Sequence, residues 1–375
     1  MKRLVLIGGG HSHVEVLRRL RLEPEPGTEI TLINPNRLAA YSGMLPGLIA
    51  GHYPPEACHI DLAQLALATD FRFVQSTVTG LHPDARLAFC ENGESFAYDV
   101  VSIDVGSKPG TLDVTGAAQH TLSVKPTERF LQHWDELLDR ARRQLLPAGL
   151  RMVVVGGGAT GVETLLAMQH RLREEGVANI RFALVTDTAD LLPAHPSRVR
   201  RIFRRVLAQR DVALILGGRV ARITRDVIVT ASGARIDSDL TVWATGASAP
   251  FWPHASGLLT DANGFIRVNR SLQSVNRPEV FASGDIASMD GKPRPKSGVY
   301  ALRQGPPLTE NLRRALRGES LVHYRPQLFA LALISTGDRY AVASRGAFAI
   351  EGAWVWRWKD WIDRKFISRY RLDHS

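Results

Sequence analysis

Two stretches of this chain follow one course: an apolar run, a glycine-rich turn, a helical pattern and a second apolar run. The first is RLVLI, residues 3–7, with GGGHSH at 8–13 and EITLIN ending at Asn34. The second is RMVVV, residues 151–155, with GGGATG at 156–161 and IRFALVT at 180–186. A short, wholly apolar run reads as a strand covered on both faces of a parallel sheet. A strand that feeds a helix through a tight glycine turn is one half-unit of an open α/β layer, and its repetition means two such layers. The fold is therefore expected to be α/β with two Rossmann-like modules. Helices are expected over 11–21 and from Val162 to about Glu175.

The second copy has Gly156, Gly158 and Gly161 at all three places of G-x-G-x-x-G. The first glycine allows the turn, the second lets backbone approach a pyrophosphate, and the third brings the helix close to the strand. The N–H groups at the helix start then face the phosphates. The first copy keeps Gly8 and Gly10 but ends in His13. A histidine cannot pack as closely as glycine, so this helix should stand further from its strand. His11 and His13 are candidates to donate to a phosphate, and equally to be satisfied within the protein. Two later strand ends belong with these turns: Ala244-Thr245-Gly246 after TVW, and Ser283-Gly284-Asp285 after EVFA. An aspartate at a strand's C-terminal end can take a ribose or ribityl hydroxyl.

Composition excludes several other classes. The 375 residues, 45% hydrophobic and 22% charged, describe an ordinary globular chain with room for two or three domains. The net charge of +10 comes from scattered arginines, 40 of the 47 basic residues, and no nucleic-acid-binding motif accompanies them, so a nucleic-acid partner is not expected. Cys58 and Cys90 show neither CxxC nor metal-ligand spacing; inert thiols in a reducing cytoplasm and no metal are the expectation. No window approaches a membrane span. The chain is expected in the cytoplasm, free or peripheral on the inner face of the membrane. The C-terminal AWVWRWKDWIDRKF bears on that choice, holding four of the seven tryptophans. Trp354, Trp358, Trp361 and Ile362 share one helical face, with Arg357 and Arg364 beside it and Lys365 interrupting it. Such a face suits a membrane surface, or else packing against the protein itself or a homodimer partner.

Taken in order, the two glycine turns, ATG at 244–246 and GD at 284–285 resemble the two-dinucleotide-domain pyridine nucleotide-disulfide oxidoreductase-like flavoproteins. Within them the chain is most similar to type II NADH dehydrogenases and sulfide:quinone oxidoreductases. GGGHSHVEVL, YSGMLPGLIAG and KSGVYALRQGPPLTENL resemble more narrowly the flavoprotein module sometimes fused to selenide, water dikinase. The resemblance implies a second module inserted in the first: an FAD domain at 1–112 and 250–322, an NAD(P)H domain at 113–249, and a C-terminal segment at 323–375. It places FAD at Gly8, Gly10, His11, Ser12, His13, Asn34, Gly106, Gly284 and Asp285, and NADH at Gly156, Gly158, Thr160, Gly161, Asp187 and Gly246. Lys296, near the flavin pyrimidine, and Glu163, near the nicotinamide, would be catalytic.

The activity so implied is hydride transfer from NADH to FAD, then two electrons to a quinone or other small acceptor. Several departures bear on it. Asn34 stands where an acid usually holds the adenosine ribose, and Thr186 precedes the acid Asp187 in the second module. A carboxylate there favours NADH over NADPH. Val299 replaces the glutamine of type II NADH dehydrogenases, and PKSG is nearer to the sulfide enzymes. Yet neither cysteine lies where their flavin-side pair would be, and YSGMLPG fills the place of the disulfide reductases' CxxxxC. Oxidation of a sulfur or selenium species, or a low-turnover accessory role, are the alternatives.

Overall fold

The protein is described by a computed structural model over residues 1–67, 71–110, 114–177, 179–291 and 295–371. The first sheet has five parallel strands in the order Val280–Ala282, Val100–Ile103, Lys2–Ile7, Thr28–Asn34, Arg72–Gln75. The second repeats the plan: Thr121–Ser123, Leu240–Trp243, Arg151–Val155, Arg181–Val185, Val212–Ile215, again all parallel. Both apolar runs are buried as the pattern requires; Leu4 to Ile7 and Met152 to Val155 are all core residues. The chain crosses between the modules twice, and the crossings pair with each other, Lys108–Pro109 antiparallel to Ala247–Ser248. The junction expected at 112/113 lies outside the described residues.

Each glycine turn opens a helix, His11–Leu22 in the first module and Ala159–Glu174 in the second. The second begins a turn before the expected Val162. Gly158 is its N-cap in an extended conformation, so Ala159 to Gly161 are already helical. The remaining chain makes a three-stranded antiparallel sheet, Ala332–Ser335, Ala341–Arg345 and Phe348–Gly352, and then the helix Ala353–Ser368. That helix turns Val355, Lys359, Asp363, Phe366 and Ile367 inward. Beyond it the Tyr370 hydroxyl donates to Glu15 at 2.9 Å, tying the end of the chain to the first helix. Among the described residues no helix is long and apolar enough to cross a membrane.

The odd last residue of the first turn has a packing role. A Cβ added at Gly161 would lie 1.9 Å from the Gly156 carbonyl, so that helix admits no side chain there. His13 holds a full ring at the same place, with Nδ1 2.7 Å from the Gly8 carbonyl. The first turn therefore has room for a ring where the second admits no side chain. Burial holds the imidazole neutral, its pKa down at about 4. With one proton, Nδ1 donates to Gly8 and Nε2 accepts from the Ser102 hydroxyl at 2.8 Å. Neither ring nitrogen is left to reach a phosphate, so His13 serves the turn through its packing. His13→Gly is expected to lower the unfolding free energy by about 2–4 kcal/mol, from a buried void and two lost hydrogen bonds. Denaturant melts of the two proteins measure this.

Candidate active site

The C-terminal ends of both sheets face a common crevice, where an open α/β layer places its ligands. A cavity of about 450 Å³ lies there, walled by Ser107, Asp285 and Lys296 of the first module and Thr160, Thr245 and Gly246 of the second. The backbone around it fits a dinucleotide in each module. At Gly8, φ is +94° and an added Cβ would stand 2.4 Å from the Asp104 carbonyl; at Gly156, φ is +128° and the Ala244 carbonyl is 2.5 Å away. Only glycine makes either turn. By contrast, a Cβ at Gly106, Gly158 or Gly246 would meet open space, so the backbone there is approachable from the crevice.

The residues after the second strands hold the turns rather than reach outward. Asn34 Oδ1 accepts from the Gly9 amide at 2.8 Å, and its Nδ2 donates to Asn36. Thr186 takes the matching place, its side chain 2.7 Å from a Cβ added at Gly157. Asp187 is exposed one residue further on. Both modules thus have a neutral side chain under the turn.

The charged groups of the cavity are Lys125, Asp261, Asp285 and Lys296. Asp285 Oδ2 accepts from the Ser107 hydroxyl at 3.1 Å and from Lys125 Nζ at 2.9 Å. Lys125 also donates to Ser107 at 2.9 Å. Lys296 lines the cavity, its ammonium donating to the Ala287 carbonyl at 2.6 Å and lying 3.8 Å above the Phe265 ring. Burial pushes it down to about 8, against the pull of Asp285. Desolvation disfavours the charged form and leaves it ready to gain from a new anion. His11 is held neutral by burial, down to about 4, between the Tyr41 and Phe366 rings.

Glu163 is brought elsewhere. It points from the second-module helix toward the C-terminal unit, where Oε1 accepts from the Ser335 amide at 2.7 Å. Burial pushes its carboxyl up to about 7, with Lys359 pulling the other way. Lys359, itself buried, donates to Asp363 at 2.6 Å and to the Gly43 carbonyl, while Tyr41 donates to Asp363 at 3.2 Å. A second polar group is thus assembled beneath the C-terminal helix. Sequence reasoning missed Lys125 and Lys359. Each is one of few lysines in an arginine-rich chain, and only the fold brings Lys125 to the cavity and Lys359 to the group beneath the C-terminal helix. Cys58 and Cys90 are buried free thiols, the former pushed up to about 12 by burial, so neither supplies a reactive thiolate.

A crevice between two glycine-turn modules, one inserted in the other, defines a two-dinucleotide-domain flavoprotein. Comparison with known proteins agrees. The sequence pattern of the family described as pyridine nucleotide-disulphide oxidoreductase matches residues 2–305, and the chain belongs to this family. It is 26% identical over 337 residues to an NADH dehydrogenase-like protein of Bacillus subtilis, covering 87% of each chain. It is 22% identical over 329 residues to the type II NADH:quinone oxidoreductase of Haemophilus influenzae, covering 77% of this chain and 74% of the other. Among solved structures, the sulfide:quinone oxidoreductase of Aquifex aeolicus superposes with a TM-score of 0.83 at 19% identity, over 99% of this chain and 92% of that one. The NDH2 of Plasmodium falciparum, in complex with NADH, gives 0.80 at 15% identity over 97% of each. These structural likenesses concern the fold. The chain is an NAD(P)H-dependent flavin oxidoreductase of the NADH dehydrogenase type, with FAD and NADH as its cofactors.

Proposed function

We propose that the enzyme oxidises NADH at the inter-module cavity and delivers the electrons to a quinone approached from the C-terminal side. The observation that carries this reading is the cavity itself, walled by the strand ends of both modules and by Thr160 of the second glycine turn, and holding Asp285, Lys125 and Lys296. FAD would lie along the first turn, beside Gly8, Gly10, His11 and Ser12, with Gly106 giving backbone approach and Asp285, after Gly284, accepting a ribityl hydroxyl. NADH would lie along Gly156, Gly158, Thr160, Gly161 and Gly246, with Asp187 favouring it over NADPH. The chemistry supplied by the bound flavin is a two-electron relay between nicotinamide and acceptor.

The chain's own groups set the electrostatics of that relay. Lys296 places a poorly solvated ammonium where negative charge would develop, and such a charge is worth most where water is excluded. Glu163 retains a proton near neutral pH and lies beside Lys359, a placement suited to supplying the protons that quinone reduction consumes. The purified protein should be yellow, bleach with NADH under anaerobic conditions, and recolour on adding a quinone; failure to bleach would sink this reading. Lys296→Ala should slow the bleaching on the order of 10–100-fold. In the native enzyme the ammonium is present below about 8 and lost above it, so the bleaching rate should fall as pH rises through that value. Lys296→Arg should remove this fall.

The tryptophan face supports approach from a membrane surface. The C-terminal helix is packed on the core by one side, while Trp354 and Trp361 remain 49% and 57% exposed on the other. Trp358 and Ile362 are half-buried. Lys365 does not break the face; its ammonium lies 4.7 Å over the Trp361 ring, leaving the stripe continuous. The preceding edge strand adds exposed Phe348 and Ile350. Rings at the headgroup level with arginines beside them fit an anionic bilayer. Because the same helix buries Val355, Phe366 and Ile367, deleting it would damage the core, and point changes are the cleaner test. Trp354→Ser with Trp361→Ser should weaken binding to anionic vesicles roughly tenfold and lower the rate with a long-chain quinone, while turnover with a short soluble quinone stays near normal. Equal losses with both quinones would place the tryptophans in the protein's own packing.

A further inference from the structure

The two modules share one plan, so comparing them position by position shows where the first departs from it. In the second, a Cβ added at Gly161 would stand 3.4 Å from the Ala244 Cβ, so these two small residues are neighbours. The strands Leu240–Trp243 and Val100–Ile103 hold the same place in their sheets, beside the strand that feeds the glycine turn. Ala244 therefore corresponds to Asp104, as Gly161 does to His13. The small pair of the second module is a histidine and an aspartate in the first.

The two changes depend on each other. With the His13 ring seated at the turn, the Asp104 carboxyl turns in beneath the helix start. Its Oδ2 accepts from the Ser12 amide at 2.9 Å and the His13 amide at 3.3 Å. These belong to the first turn, whose N–H groups have no partner within a helix. Ala244 has no atom that could accept the equivalent pair. Oδ1 is enclosed by the two turns, 2.3 Å from a Cβ added at Gly10 and 2.3 Å from one added at Gly284. The first cradle has therefore committed to its own aspartate two donors that a dinucleotide diphosphate would otherwise share.

The charges facing this carboxyl are few. Asp285, on the Gly284 turn, repels it, and Lys125 is paired with Asp285 at 2.9 Å. From the helix, His11 and His13 are both held neutral by burial. Burial first, and then Asp285, push Asp104 up to about 7, against the pull of the two amides. A diphosphate would bring further negative charge beside a carboxyl with no cation of its own.

We propose that Asp104 enters the FAD complex as the neutral acid, with its proton on Oδ1, so that flavin binding above neutral pH takes up one proton from solvent. This rests on the reading that the first glycine turn is the FAD site. The diphosphate stays ionised throughout, and the proton goes to the carboxylate. Oδ2 keeps the Ser12 and His13 amides in either state. Asp104 is thus a positioning residue that makes flavin retention depend on pH.

The test is FAD release from the holoprotein, followed by the rise in flavin fluorescence on dilution between about pH 6 and pH 9. The dissociation constant should be flat below about 7 and rise about tenfold per pH unit above it. Asp104→Asn keeps the shape and the acceptor oxygen but cannot ionise, and should remove the rise that begins near 7. Lys296 loses charge near 8 and adds a slope common to both proteins, so the difference between them is the readout. Asp104→Ala, which gives the first module the residue of the second, should lose the same part of the slope and serves if the asparagine variant folds poorly. Equal slopes in the parent and either folded variant would overturn the proposal. Asp285→Ala distinguishes the underlying reading: unchanged flavin retention there would mean that the first turn is not the FAD site at all.

Discussion

Two glycine turns, each opening a helix at the C-terminal edge of a parallel sheet, are the feature around which the rest of the chain is arranged. At Gly156 and Gly161 the carbonyls of Ala244 and Gly156 come so close that no side chain fits. That closeness brings the Ala159–Glu174 helix onto the strand Arg151–Val155 and sets Thr160, at its start, in the wall of the cavity. The parallel sheets make this possible, because every crossover returns the chain in one direction and every functional turn falls at the same edge.

The first module reaches a similar result by other means. His13 replaces the close glycine contact with hydrogen bonds to Gly8 and Ser102, and Asp104 fills the space this opens. Two departures that would each be unfavourable alone compensate one another: the histidine makes room, and the aspartate satisfies amides that would otherwise be left uncapped. The result is a nucleotide turn with a titratable group in its floor. Its counterpart in the second module is floored by a methyl group.

The C-terminal unit closes the structure and adds a buried polar group of its own. Its helix carries Lys359 and Asp363 into the interior, where they meet Tyr41 and Gly43 of the first module and face Glu163 of the second. A buried ion pair is weak evidence for stability, since desolvation offsets most of its attraction. Its position between three parts of the chain, beside a carboxyl pushed up to about 7, fits a site that handles protons. The outward side of the same helix keeps two tryptophans in solvent, so one element serves both the interior and the surface.

Local pattern determined the α/β class, the two modules and the glycine turns, because a strand buried on both faces and a turn that only glycine can make leave their mark within a few residues. Gly156, Gly158 and Gly161 could be read that way, and so could the strands beside them. The roles of His13, Asp104, Lys125, Lys359 and Glu163 could not. Burial decides whether His13 reaches a phosphate or the Gly8 carbonyl, and whether Glu163 faces the crevice or the C-terminal sheet; burial is a property of the packed whole. Asp104 comes nearest to an exception. Its match with Ala244 is visible by laying IDVG against WATG, but its meaning required the helix start to be seen above it. Sequence determines which backbone paths are open to a chain. Which polar groups meet, and which of them lose water in doing so, is decided only when distant segments pack together.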